Sequence, residues 1–200
     1  VRCNGPALEL VDAAEGAAWD PHIDLETGRM WESGMAWALK ALREVLMGDG
    51  RYEVLMEEVG QLVHRGGVTT IADAGFGGMA LPERELEVLA QVHEGDHVPF
   101  RQYLMPQVGT FKRVYGAEAE DRMAALHEHT SERIRFLNAG KFFADGAFIA
   151  QLMQLGEPGY IDGHVGAWMA DPDRIVHHLR PFWIAGRQVN VHVNGDRGMD

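Results

Sequence analysis

Apolar residues recur at helical spacing over 34–47, where Met35, Leu39, Leu42, Val45 and Leu46 share one face. Gly48-Asp49-Gly50 stops that run. A second helical pattern covers 52–64 through Leu55, Val59, Leu62 and Val63, and Gly66-Gly67 ends it. Ahead of both, residues 1–33 are rich in Gly, Pro and Asp; they predict a short helix over 7–14 and then loop. From Val68 the pattern changes. Val68-Thr69-Thr70-Ile71-Ala72-Asp73 is β-branched and apolar and runs into a Gly-rich stretch, as a buried strand ending in a loop does. Further strands are predicted over 100–105, 141–144 and 188–193. Helices are predicted over 82–93, 117–137 and from Pro172 to the stop at Gly186, the last capped by Asp171. Residues 150–170 hold four Gly and one Pro and read as a long loop.

The strand starts near 68, 100, 141 and 188 are separated by roughly 32, 41 and 47 residues, each gap holding a helix. Buried strands alternating with helices pair in parallel through right-handed crossovers. A doubly wound sheet or part of an eight-stranded barrel fits this order. Neither G-x-G-x-x-G after a strand nor G-x-x-x-x-G-K-[ST] is present, and four strands are half of a (β/α)8 barrel. The expected fold is therefore α/β: a partial (β/α)8 TIM barrel of parallel strands over 67–200, preceded by a loop and helical segment over 1–66.

Composition narrows the function classes. Hydrophobic residues make up 46% of the 200, enough for a sizeable core. Eighteen Lys and Arg against 30 Asp and Glu leave a net charge of −12, which opposes a nucleic-acid or anionic-membrane partner. The lone Cys3 excludes a disulfide framework and a cysteine zinc ribbon, and fits a cytoplasmic setting. No apolar run approaches the ~18 residues of a transmembrane helix. The chain opens on Val1 and closes on Asp200 straight after an apolar run, so a segment of a longer enzyme is expected.

In both architectures reactive groups sit at the carboxyl ends of the strands. Those ends carry Asp73, then Gln107, then Lys141 with Asp145, then His192 with Asn194 and Asp196. Lys141 leads an apolar run. It is either a snorkelling or salt-bridged residue, or a lysine put to use by carbamylation, Schiff-base formation or proton transfer. His192, between two valines, is either a hydrogen-bonded core histidine or a metal ligand or general base. His127 and His129, two apart on a helix, point about 200° apart and do not converge. His164, on the long loop, is a candidate substrate contact. There is no H-E-x-x-H and no G-x-S-x-G.

Lys141-Phe142-Phe143-Ala144-Asp145-Gly146, followed by His192-Val193-Asn194-Gly195-Asp196, resembles the amidohydrolase superfamily. Its N-substituted formamide deformylase-like branch is the nearest match. Gly67-Val68-Thr69-Thr70-Ile71-Ala72-Asp73-Ala74-Gly75 is similar to a strand of that branch, and Asn4 to Leu10 followed by Asp24 to Gly28 is a looser likeness. The resemblance implies a (β/α)8 barrel with one or two divalent metals, zinc foremost, hydrolysing a carbon–nitrogen bond of a small amide-type molecule. It implies Lys141, often carbamylated in the family, and His192 as metal ligands on strands four and five. Asp145 and His164 would contact substrate, with Asp73, Asn194 and Asp196 supporting the ligands from behind.

The sequence also departs from the family. No His-x-His precedes Val68, and nothing after Asp200 supplies the sixth-strand histidine or the catalytic aspartate. Zinc takes at least three protein ligands, so the 200 residues alone are expected to be inactive. The alternative is a non-catalytic α/β ligand-binding domain with Lys141 as anion anchor; a Schiff-base lyase using Lys141 is a third reading. A small-molecule substrate and a possible homo-oligomer complete the expectations.

Overall fold

The computed structural model describes residues 1–12 and 20–199. The first helix, α1 (Gly5–Asp12), lies where 7–14 predicted one; residues 13 and 14 fall outside the described residues. A two-stranded hairpin follows, β1 (Ile23–Asp24) and β2 (Arg29–Met30), in a stretch predicted to be loop. The Asp24 carboxylate accepts from both the backbone and the hydroxyl of Thr27, and Gly28 takes φ +71°, so local turn chemistry makes the hairpin. Next come α2 (Ser33–Ala41) and α3 (Arg43–Met47). The single helix expected over 34–47 is broken at Leu42, whose ψ of 3° leaves the helical range. Val11, Met30 and Ala38 form the small core of this N-terminal unit.

Helix α4 (Arg51–Arg65) leads into the sheet. Its strands are β3 (Thr70–Phe76), β4 (Arg101–Pro106), β5 (Ile134–Phe136), β6 (Ala139–Phe143) and β7 (Gln188–His192). Between them lie α5 (Pro82–His93), α6 (Val108–Tyr115), α7 (Ala119–Ala125) and α8 (Pro172–Ile184). The helix expected over 117–137 ends early, and its tail becomes β5. Ser131 Oγ accepts from the N–H groups of Arg133 and Ile134, which turns the chain. Ile134 and Phe136 are then buried with Arg135 exposed, a period of two.

All pairings in the main sheet are parallel. β3 pairs β4, β4 pairs β5, and β6 pairs β7. A parallel bridge between Gln107 and Lys141 joins β4 to β6, so β5 and β6 share one position beside β4. The result is an open sheet of four strand positions; among the described residues it does not close into a barrel. One face packs on the helices. Its core runs through Phe76, Leu104, Phe111, Ile134, Phe142 and Phe182. Gly140 on β6 makes room for this packing, since a Cβ there would lie 2.8 Å from the Phe182 ring. No helix is long and apolar enough to cross a membrane among the described residues.

A buried polar tie fixes α4 and α5 to β4. His93, 2% exposed, donates from Nε2 to the Met56 carbonyl (2.9 Å) and accepts at Nδ1 from the Gln102 amide (2.7 Å). Replacing Gln102 with Leu removes the donor and leaves a buried ring nitrogen unpaired. Equilibrium urea unfolding of Gln102→Leu is expected to show a loss of about 1–2 kcal/mol.

Candidate functional site

The alternation of strand side chains puts Gln107, Lys141, Phe143, Asn190 and His192 on the face opposite the helix-packed core. The register confirms the neighbours: Lys141 pairs with Asn190 and Phe143 with His192. Lys141 and His192 are thus diagonal neighbours on adjacent strands. Lys141 is half-buried, and its Nζ lies 5.0 Å from the Phe143 ring centroid. It makes no ion pair among the described residues, and desolvation holds its pKa below the usual lysine range. Beside it, Asn190 carries a buried Nδ2 with no hydrogen-bond partner.

His192 packs its ring on Phe143 at 5.3 Å, and its Nε2 lies 2.8 Å from Asn194 Nδ2. The same Asn194 amide donates to the Gly146 carbonyl (3.0 Å), so Nε2 acts as the acceptor and the ring proton sits on Nδ1. Asn194 therefore fixes both the position and the tautomer of His192.

Asp145 organises the segments around this pair. It is 1% exposed, and its carboxylate accepts three backbone N–H groups: Asn194 (2.8 Å), Gly195 (2.6 Å) and Gln154 (3.0 Å). Both oxygens are committed within the protein. One carboxylate thus locks the end of β6 to the 150–170 loop and to the turn after β7. Asp196 adds a second tie, its Oδ1 accepting from Gly156 N at 3.0 Å. Farther out, the Ala147 N–H donates to Glu32 Oε1 and pins the N-terminal unit to the same loop.

His164 stands apart from this cluster. Its ring stacks on Tyr160 at 4.3 Å, with Nδ1 on Asp162 and Nε2 on the Gln151 carbonyl. The carbonyl and then the carboxylate raise its pKa. Asp73 lies two strand positions from Lys141. It pairs with the core residue Leu104 and folds back onto the Gly75 N–H at 2.7 Å. The structure therefore brings Lys141, His192, Asn194, Asp145 and Asp196 to one region, and places His164 and Asp73 elsewhere. Asn190 and Glu32 were missed by sequence reading. The signal for Asn190 was its place two residues before His192, on the same strand face.

Among the described residues, no three His, Cys, Asp or Glu side chains gather closely enough to hold a metal ion. A cavity of about 360 Å³ lies at the amino ends of β6 and β7 and does not include Lys141 or His192; Met123, His127, Asn138 and Arg187 are among its lining residues.

No protein-family model matches the sequence, and no curated protein matches it. Two solved structures match the fold. An uncharacterised metal-dependent hydrolase from Pyrococcus horikoshii OT3 is 19% identical with a TM-score of 0.65, over 100% of this chain and 38% of its own. One from Pyrococcus furiosus is 20% identical with a TM-score of 0.65, over 98% of this chain and 39% of its own. The chain thus spans under two-fifths of the length of the proteins whose fold it shares.

Proposed function

We propose that this chain carries one edge of a metal-dependent hydrolase site acting on a carbon–nitrogen bond of a small molecule. The observation that carries the reading is the diagonal placement of Lys141 and His192 on adjacent parallel strands, on the face away from the helices. The fold shared with two metal-dependent hydrolases supports hydrolysis. The motif resemblance over 141–146 and 192–196 supports the choice of bond.

These residues alone do not fit a complete metal site. Lys141 and His192 are two donors at most, His192 only when the Asn194 amide releases Nε2, and zinc takes at least three from the protein with a position left open for water. Lys141 becomes a donor only when its amine is converted to an anion. Its environment favours this, because desolvation, with no carboxylate paired to it among the described residues, leaves more of the amine neutral. The neutral amine attacks the carbon of CO2, an N–C bond forms, and one proton passes to water, leaving a carbamate. Asn194 holds His192, and Asp145 holds Asn194 through its backbone.

The test is carbon NMR of the chain in 13C-labelled bicarbonate, alongside Lys141→Ala. A protein-bound carbamate resonance that is missing in Lys141→Ala is expected. No such resonance between pH 7 and pH 9, with saturable sulfate binding lost in Lys141→Ala, would instead establish the anion-anchor reading.

A further inference from the structure

We infer that His164, as an imidazolium, latches the tip of the 150–170 loop back onto the loop's own rising limb, and that the tip lifts when the ring loses its proton. The two limbs are held at their base. The Leu155 N–H donates to the Val165 carbonyl and the Ala167 N–H to that of Leu152, while Gln154 and Gly156 are tied to Asp145 and Asp196. Residues 157–164 form the tip, and two of its side chains reach back across the turn. The Tyr160 hydroxyl accepts from the Met153 N–H at 3.0 Å. The His164 ring lies flat on Tyr160, at 4.3 Å with 7° between the planes, and its Nε2 is 2.7 Å from the Gln151 carbonyl oxygen. Its Nδ1 is 2.5 Å from Asp162 Oδ1.

The partners decide the protonation state. A neutral imidazole carries one N–H, whereas a carbonyl and a carboxylate, one on each ring nitrogen here, only accept. Asp162 is exposed, and its bond to the ring holds its pKa below the usual carboxylate value, so it is ionised. The doubly protonated ring alone makes both bonds. Asp162 is the one charged group bonded to this ring among the described residues, and the Tyr160 phenol, already engaged by Met153, is the titratable group stacked on it. The Gln151 carbonyl and then the Asp162 carboxylate stabilise the cation and raise the pKa of His164. The latch is therefore complete below the ordinary histidine value of 6.5 and is lost as pH rises through the raised one. Losing the ring proton strands one acceptor. Gln151 also sits at φ +58°, a strained conformation for a residue with a Cβ, and release of its carbonyl lets that turn relax. Asp145 bonds neither Gln151 nor His164, so the base stays clamped and the motion is confined to the tip. The inference is independent of the hydrolase reading, and its test involves neither metal nor substrate.

The experiment is nitrogen NMR of the histidine rings in the 15N-labelled 200-residue chain from pH 5 to pH 9, with amide exchange at Met153 followed over the same range. His164→Phe keeps an aromatic ring on Tyr160, lacks both N–H groups and identifies the His164 resonances by their absence. His164 is expected to titrate above the ordinary histidine value, and to titrate lower in Asp162→Asn. Exchange at Met153, corrected for its intrinsic pH dependence, is expected to quicken about threefold or more as His164 loses its proton, and in His164→Phe to be fast and level across the range. A His164 ring already neutral at pH 6, a titration unmoved in Asp162→Asn, or Met153 exchange that stays level through the titration would overturn the inference. The titration and exchange of the natural chain decide the matter even where a variant fails to fold.

Discussion

Asp145→Ala is expected to lower stability by about 4 kcal/mol in urea unfolding and to free the segments around the candidate site. The side chain is 1% exposed and accepts three backbone N–H groups, from Gln154, Asn194 and Gly195. Each donor stranded in a buried position costs about 1–3 kcal/mol, and the sum is reduced where water enters the space left behind. Asp145→Asn keeps one accepting oxygen and turns an NH2 toward the remaining donors, so about 2–3 kcal/mol is expected there. The loss is local in origin. Hydrogen exchange at Gln154, Asn194 and Gly195 should accelerate, and protease should enter the 150–170 loop before the helices. Because Asn194 holds His192 Nε2, the ring resonances of His192 should broaden in both variants. A stability change below 1 kcal/mol with unaltered exchange at those three amides would show that the carboxylate is not the clamp.

Four strand positions could be read from the sequence because each carries apolar, β-branched or aromatic residues between glycine or proline breaks; His192 ends one of them, whereas Lys141 falls in mid-strand because β6 begins at Ala139. Short elements set by side-chain-to-backbone bonds could not. The Asp24–Thr27 turn builds a hairpin inside a polar stretch, and Ser131 ends a helix whose apolar positions still suited one. In β5, Ile134 and Phe136 satisfy both a short helical and a strand pattern, and only pairing with β4 decides between them. The site's architecture was hidden for another reason. Its loops are held by glycines against which carbonyls pack: a Cβ at Gly195 would sit 1.9 Å from the Gln154 oxygen and one at Gly166 1.8 Å from that of Met153. Such close approach has no periodicity. Asp73 shows the limit of listing strand ends, since β3 runs on to Phe76 and leaves Asp73 in mid-strand, paired in register with a residue of the helix-side core. Asp145 shows it again: it lies just past the end of β6, but its side chain faces three amides of its own chain.

The second large effect is a pH dependence of stability centred on Glu85. This carboxyl, in the first turn of α5, is 4% exposed, and its Oε2 accepts from the N–H groups of Gly77 (3.0 Å) and Ala80 (3.5 Å). Burial is the chief cause that pushes its pKa up to about 7; the charge of Asp73 adds to it, while the loop amides pull the other way. The folded state therefore keeps the proton over a range, from about 4.5 to about 7, in which the unfolded chain has lost it. Its contribution is most favourable below that range, declines as pH rises through it, and is level above it. A shift from 4.5 to about 7 corresponds to roughly 3 kcal/mol. Other carboxylates titrate in the same window, so the informative quantity is the stability of Glu85→Gln minus that of the natural chain at each pH. The glutamine oxygen still accepts from the Gly75–Gly78 loop, and the side chain no longer ionises. That difference should climb by about 3 kcal/mol between pH 4.5 and pH 7 and stay flat to pH 8.5. A difference that is constant, or that falls with pH, would place the charged form of Glu85 in the folded state. The loop after β3 would then be held at neutral pH by a carboxylate, and acid would loosen it.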